Sequence, residues 1–233
     1  AHRGKVSAVA VSPDGRQVAS VSYDHTVALW RMTPPRAAEA PAKPSWSAPD
    51  ATSDGLPGSR SVAFHPQGKL LASGHYDGRI RLWDVPSGEL LHTFGSHTAA
   101  LYDLAFSPDG TLLASASDDW SIRLWDVTSG VERRVLAGHG GGVTGVAFDP
   151  GGERLASSSK DTTVRVWDPA SGRALTVLRG HLSEVYDVAF SAAGPSWISA
   201  GSDALRSWDA VDGSEQRVLS EGAFVGLAVS RDG

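Results

Sequence analysis

Cysteine does not occur in this chain, which excludes disulfide bridges, thiolate metal sites and a cysteine nucleophile together. Lysine is scarce, four of the 21 basic residues, and the basic residues stand singly among 26 acidic ones for a net charge of −5. With no basic stripe to meet a phosphate backbone, nucleic acid is not an expected partner. Long hydrophobic runs are missing as well. The apolar stretches span only a few residues, against the roughly 20 that a membrane helix needs, and no charged-then-apolar leader opens the sequence. No membrane partner is expected, and a cytoplasmic location is the expectation for so plain a cysteine-free chain.

What the chain does have is an ordinary globular composition, 41% hydrophobic and 20% charged, and a strong internal repeat. The turn Ser12-Pro13-Asp14-Gly15 returns as His65-Pro66-Gln67-Gly68, Ser107-Pro108-Asp109-Gly110, Asp149-Pro150-Gly151-Gly152, Ser191-Ala192-Ala193-Gly194 and Ser230-Arg231-Asp232-Gly233. Gly68, Gly110, Gly152 and Gly194 are spaced by 42 residues each time, Gly15 precedes Gly68 by 53, and Gly233 follows Gly194 by 39. Within the first unit, Val6 to Ser12, Gln17 to Ser22 and Thr26 to Trp30 read as short strands, rich in β-branched residues and punctuated by turn residues. Four such strands per unit make one small sheet. A sheet of that size cannot bury both faces alone, so successive sheets must stack, and radial stacking of antiparallel blades gives a propeller.

The units resemble those of the WD-repeat family: an opening His, Ser-Pro-Asp-Gly, Leu-Ala-Ser, then Trp-Asp at Trp83-Asp84, Trp125-Asp126, Trp167-Asp168 and Trp208-Asp209, with Trp30-Arg31 closing the first. The resemblance covers nearly the whole chain. It implies an all-β propeller of four-stranded antiparallel blades at approximately 1–54, 55–96, 97–138, 139–180 and 181–220, followed by the inner strand of a sixth within 221–233. Five blades and one strand read as an incomplete ring, the remaining blades belonging to a larger parent chain. Residues 33–57, with six prolines, read as a solvated excursion in which Trp46 acts as an anchor and makeshift outer strand.

The resemblance also implies a buried His–Ser–Asp–Trp network in each blade. His2, Ser20, Asp24 and Trp30 match it, as do His97, Ser115, Asp119 and Trp125, and His139, Ser157, Asp161 and Trp167. Two units depart from it. The second keeps Ser73, Asp77 and Trp83 but has Gly55 where the His should stand, so its network should be incomplete; the fifth has His181, Ser199 and Asp203, but Trp208 arrives one residue early. That blade should be distorted, with no assured place for its indole. A Ser, His and Asp in contact invite a hydrolase reading. Against it, a nucleophile is needed once, exposed beside an oxyanion hole, whereas this set repeats in blade after blade with an indole attached. No catalytic residue, metal site or cofactor is therefore expected, and His65, His75 and His92 read as isolated core or solvated histidines.

In similar proteins two positions per repeat point to one face of the ring: five after the His, and one before the turn Asp. Here the first set is Ser7, Arg60, Tyr102, Thr144 and Tyr186, and the second Tyr23, Tyr76, Asp118, Lys160 and Ser202. All four tyrosines of the chain fall in these places, and His25 and Trp120, which follow their turn aspartates, should project on the same face. Tyrosine brings large area and little rotamer entropy to an interface. The expected partner-binding residues are accordingly Tyr23, Arg60, Tyr76, Tyr102, Asp118, Trp120, Lys160 and Tyr186. The expected function is a non-catalytic scaffold or sensor module for protein or peptide partners; a ligand-binding, lectin-like propeller is the alternative, and a propeller-fold hydrolase a more distant one.

Overall fold

The computed structural model of the chain describes residues 2–32, 44–49, 58–191 and 195–229. It is all-β, with five four-stranded antiparallel sheets, each ordered as the chain runs from inner to outer strand. Blade one holds β1 (Val6–Val11), β2 (Gln17–Ser22), β3 (Thr26–Arg31) and β4 (Trp46–Pro49). Blade two holds β5 (Ser59–Phe64), β6 (Leu70–His75), β7 (Ile80–Asp84) and β8 (Leu90–Phe94); blade three holds β9 (Leu101–Phe106), β10 (Leu112–Ser117), β11 (Ser121–Asp126) and β12 (Glu132–Ala137). Blade four holds β13 (Val143–Phe148), β14 (Leu155–Ser159), β15 (Val164–Trp167) and β16 (Ala174–Leu178), and blade five β17 (Val185–Ser191), β18 (Ser196–Gly201), β19 (Ala204–Asp209) and β20 (Glu215–Glu221).

The core lies between blades. Ala114, Ile122, Leu124 and Leu136 of blade three pack on Val143, Val146, Leu155 and Trp167 of blade four, and the same scheme repeats at the other three junctions. Each fully buried aliphatic side chain contributes about 1.5–3 kcal/mol, so a blade gains most of its stability from its neighbours. Blade one shows what a missing neighbour costs: Val9 is 64% exposed where Leu104, Val146 and Val188 are at most 5%, and Met32 is 59% exposed where Val85 is 4%. Among the described residues no strand of blade five pairs with blade one. The sheets form an open arc.

Residues 223–229 do not form the expected inner strand of a sixth blade, and Ser230 lies outside the described residues. A strand needs a ladder, and among the described residues no second strand of that blade supplies it. The segment nevertheless occupies the sixth position. The Leu227 amide donates to the Asp187 carboxylate at 2.7 Å, repeating the bond from the Val146 amide to Asp103 at 3.0 Å between blades three and four.

Trp46 opens β4, donates its indole N–H to the Val85 carbonyl at 2.8 Å and stacks on Trp83 with ring centroids 6.2 Å apart. It thereby ties blade one to blade two. The rest of the proline-rich stretch, 33–43 and 50–57, lies outside the described residues.

Candidate functional site

In blades one, three and four the expected polar network is present, with nearly identical geometry in blades three and four. In blade four, Asp161 accepts from His139 Nδ1 at 2.9 Å, Ser157 meets Nε2 at 2.8 Å, and the Trp167 indole donates to Ser157 Oγ at 2.8 Å. The ionised acceptor fixes the proton on Nδ1, so the serine donates to Nε2 and accepts from the indole. Blade three matches within 0.1 Å through His97, Asp119, Ser115 and Trp125. Blade one is looser at the acid: His2 Nδ1 is 3.3 Å from Asp24 but 2.7 Å from Thr26 Oγ1, while Ser20 and Trp30 keep their bonds.

Each irregular blade corrects the sequence reading in one respect, the imidazole of blade two and the indole of blade five, while the acid of blade two stays outside its network and blade five is distorted as expected. Blade two is not left without its imidazole: His75, on β6 itself, meets Ser73 Oγ through Nε2 at 2.8 Å and Ser59 Oγ through Nδ1 at 3.1 Å, and Trp83 donates to Ser73 at 2.8 Å. An imidazole from the inner sheet takes the place of one from the preceding loop, and Ser59 stands where Val6, Leu101, Val143 and Val185 stand elsewhere. Asp77, the expected partner of the absent His, instead pairs with Arg81 at 3.0 Å. In blade five the Trp208 indole does join, donating to Ser199 at 2.8 Å, while His181 reaches Asp203 at 2.6 Å. The lost residue is the left-handed one of the turn before the third strand, filled by His25, Gly78, Trp120 and Thr162 in the other blades. The tighter turn shifts the mismatch outward, where β19 and β20 carry a register break at Leu205/Arg206 besides the one all complete outer pairs share.

Burial works against ionisation of Asp119 and Asp161. The bonds they accept, from His97 and Ser121 in one case and from His139, Thr163 and the Gly140 amide in the other, outweigh it and hold both well below the usual carboxylate range. Asp203 is held down to about 2 against burial by the Leu182 amide and His181. A depressed acid stabilises the fold above its unfolded value, near pH 4, and loses that contribution as pH falls through its folded value. Burial also depresses His181 despite Asp203; the folded state then favours the neutral ring, so its contribution too is lost as pH falls below about 6.5. Asp161→Asn should lower stability at pH 7 by about 1–3 kcal/mol, and the gap to the parent should shrink between about pH 4 and 2. Denaturant titrations across that range would refute the linkage if the gap stayed constant.

The face-directed positions have a shared structural cause. In every blade the pairing of the two inner strands slips by one residue, and the residue left unpaired is Ser7, Arg60, Tyr102, Thr144 or Tyr186. Such a bulge re-aims its side chain. Beside each bulge the second position is fixed by its own amide: Tyr23, Tyr76, Asp118, Lys160 and Ser202 donate to the carbonyls of Lys5, Gly58, Ala100, Gly142 and Glu184. Ser7 and Thr144 turn their hydroxyls to the next blade, onto the Ser59 and Val185 carbonyls, each at 2.6 Å.

The larger side chains join into a ladder across blades one to four. The Tyr23 hydroxyl lies 3.0 Å from that of Tyr76, which accepts from Arg60 Nη1 at 2.9 Å. The Arg60 guanidinium lies 4.0 Å from the Tyr102 ring centroid, and Lys160 Nζ, 4.6 Å from the same centroid, donates to the Tyr102 hydroxyl at 2.8 Å and to Asp118 at 2.7 Å. Burial disfavours the charge on Lys160, but Asp118 and the Tyr102 hydroxyl more than offset it and raise its pKa. The hydrogen bond to Tyr76, with burial next, raises the pKa of Tyr23. Tyr186 stands apart, donating to Glu184 at 3.0 Å. Trp120 makes none of the ladder's contacts; it is 55% exposed at a left-handed turn position, φ 70°.

Beneath the ladder, on the inner side of the arc, lies a cavity of about 770 Å³ whose lining includes Lys5, Tyr23, Arg60, Tyr102, Asp103 and Asp187. Burial, with Asp187 next, pushes Asp103 up to about 7, against the amides of Val146 and Leu104. Burial likewise raises Asp187. Neither acid was singled out by the sequence reading, although the dipeptides Tyr102-Asp103 and Tyr186-Asp187 repeat at equivalent positions. Among the described residues no group of three or more His, Asp and Glu side chains is arranged to hold a metal ion.

The family model for the WD domain, G-beta repeat, matches residues 1–31, 55–84, 88–126, 130–168 and 172–209. The chain belongs to the WD-repeat family. Among the WD-repeat chain's relatives are autophagy-related protein 16 of Arabidopsis thaliana, 31% identical over 43% of this chain and 18% of its own length, and a probable cytosolic iron-sulfur protein assembly protein 1 of Malassezia globosa, 36% identical over 36% of this chain and 24% of its own. A probable serine/threonine-protein kinase, PkwA, of Thermomonospora curvata is 55% identical over 16% of this chain and 5% of its own. The matched stretches thus span less than a quarter of each relative, and WD-repeat membership, rather than any one relative's role, is what they share with this chain.

Proposed function

We propose that this WD-repeat chain is a non-catalytic platform for protein or peptide partners, and that partners dock on the face carrying the bulge residues and the neighbouring turns of blades one to four. The observation that carries the proposal is the ladder of Tyr23, Tyr76, Arg60, Tyr102 and Lys160. Tyr and Arg dominate binding energy most often, and side chains already fixed lose little entropy when a partner arrives. Trp120 supports the same reading. A bulky residue in the left-handed region costs about 1–2 kcal/mol, and Gly78 does the equivalent work in blade two; an exposed indole retained there has a use outside the fold.

Catalysis by the His–Ser–Asp–Trp sets is disfavoured by their burial and repetition: His97, His139 and His181 are all less than a tenth exposed. The uncovered face of blade one, with Val9 and Met32, fits a further blade of the kind that covers its equivalents. The short PkwA match supports a place for such an arc within a larger signalling chain, and a cytoplasmic setting is part of the proposal.

The test uses a photo-crosslinking amino acid at Trp120 or, on the opposite turns, at Ala170, followed by capture in the native cell. Adducts should form from position 120. Trp120→Gly should then weaken the captured partner by about 1–3 kcal/mol without lowering the denaturation midpoint, because glycine accepts the left-handed turn. Adducts from position 170 alone, or binding unchanged by Trp120→Gly and Tyr102→Ala together, would remove this face as the docking surface.

A further inference from the structure

Arg60 is a cation held in a fixed pose with no carboxylate against it among the described residues. Its guanidinium lies 4.0 Å from the Tyr102 ring centroid and 5.7 Å from that of Tyr76, and Nη1 is tied to the Tyr76 hydroxyl at 2.9 Å. Cation–π contacts of this kind orient the group without neutralising it. The residue is half-buried and lines the cavity. The Lys5 ammonium, 5.8 Å from the Tyr23 ring, adds a second positive charge to the same rim.

The neighbouring charges are already engaged. Lys160 is matched by Asp118, and Asp103 and Asp187 each accept two backbone amides, their own successor's and one from the next blade position, Val146 on β13 for Asp103 and Leu227 in the segment 223–229 for Asp187. Arg60 is left as a half-buried planar fork of donors on the cavity lining with no carboxylate among its contacts, and such a group pairs bidentately with a carboxylate. The chain as a whole is acidic, at −5, so it does not attract anions in bulk. Selection must come from this spot.

We propose that Arg60, with Lys5 on the lining of the same cavity and the Tyr23 and Tyr102 rings between them, is an anion subsite that receives an Asp or Glu side chain from a peptide segment of the docking partner. The proposal rests on the docking face argued above and gives its partner a chemistry. Bulge geometry explains why blade two can offer such a group: Arg60 is the residue that the slipped register expels from the ladder between β5 and β6. Because the contact is ionic and partly open to water, it weakens as salt rises.

The test is a peptide array with randomised flanks and a central pair of glutamates, phosphoserines, glutamines or lysines, followed by fluorescence anisotropy of the tightest binder. The proteins are the parent, Arg60→Gln, Arg60→Lys, Trp120→Gly and Arg217→Gln, the last on the exposed outer strand β20. Circular dichroism melts confirm that each folds. Glutamate peptides should bind the parent and Arg217→Gln alike, weaken about tenfold or more with Arg60→Gln, and recover only in part with Arg60→Lys, which lacks the fork. Glutamate peptides that bind Arg60→Gln as they bind the parent, or an array with no glutamate binder, would overturn the subsite, as would binding confined to phosphoserine. Glutamine or lysine peptides that bind the parent and are lost with Trp120→Gly would overturn the acidic chemistry while leaving the docking face in place.

Discussion

Replacing His75 by alanine should destabilise the protein by about 2–4 kcal/mol, through a cavity and stranded hydrogen-bonding groups together. The side chain is completely buried and bonds to Ser59 on β5, Ser73 on β6 and, through Ser73, Trp83 on β7. Its equivalents in blades one, three and four are serines, Ser22, Ser117 and Ser159. Ser117→Ala, which removes one small hydroxyl, should cost only about 1 kcal/mol. The contrast between two residues at one repeat position is the measurement. Equal shifts in denaturant midpoint for His75→Ala and Ser117→Ala would mean that the imidazole of blade two is not part of its core network.

Asp103→Ala should also be strongly felt, by about 1–3 kcal/mol, because it leaves the nearly buried Val146 amide without its acceptor. The sign of its pH dependence is opposite to that of the tetrad acids. A carboxyl whose folded pKa is raised contributes stability that is full below its unfolded value, near pH 4, and declines as pH rises through the folded value of about 7. The gap between parent and Asp103→Ala should therefore be wider at pH 5 than at pH 8. Asp187→Ala makes the matching change at the end of the arc, but Leu227 lies in a segment without a strand ladder. Its loss should appear as faster amide exchange at Leu227 with little change in global stability. A gap for Asp103→Ala that widens from pH 5 to pH 8 would contradict the burial argument.

The repeat was legible because it is written in turn chemistry. Gly15, Gly68, Gly110 and Gly152 all adopt a positive φ between 70° and 75°, a conformation glycine enters without strain, so the same turn demands the same residue at a fixed spacing. Pairings at a fixed separation were legible too: His97 with Asp119 and His139 with Asp161 are 22 residues apart in both cases. His75 escaped the reading because it breaks the spacing. An imidazole two residues beyond its serine reaches the same hydroxyl from another side, and only three-dimensional proximity reveals the substitution. For Trp208, counting residues marked a deletion but could not say where the sheet would absorb it. The backbone kept the buried indole bond and placed the irregularity at the outer edge, where solvent can satisfy the groups it frees.

The sequence by itself determined the blade, its four-strand order and the residue types of the buried networks, since these follow from local turn propensity and from polar groups that must be satisfied within one repeat. It also placed the tyrosines, Arg60, Asp118 and Lys160 at two face-directed positions. Only the tertiary structure decided which of them meet. The Tyr23–Tyr76–Arg60–Tyr102–Lys160 ladder spans blades whose members are up to 137 residues apart in sequence, and it excludes Tyr186, although that residue holds the same repeat position as Arg60 and Tyr102, and Trp120, although it lies close to Asp118 in the same turn. The physical reason is that repeat spacing fixes a residue's place within its own blade, while contacts between blades depend on side-chain length, bulge geometry and the charge that the neighbouring blade happens to present.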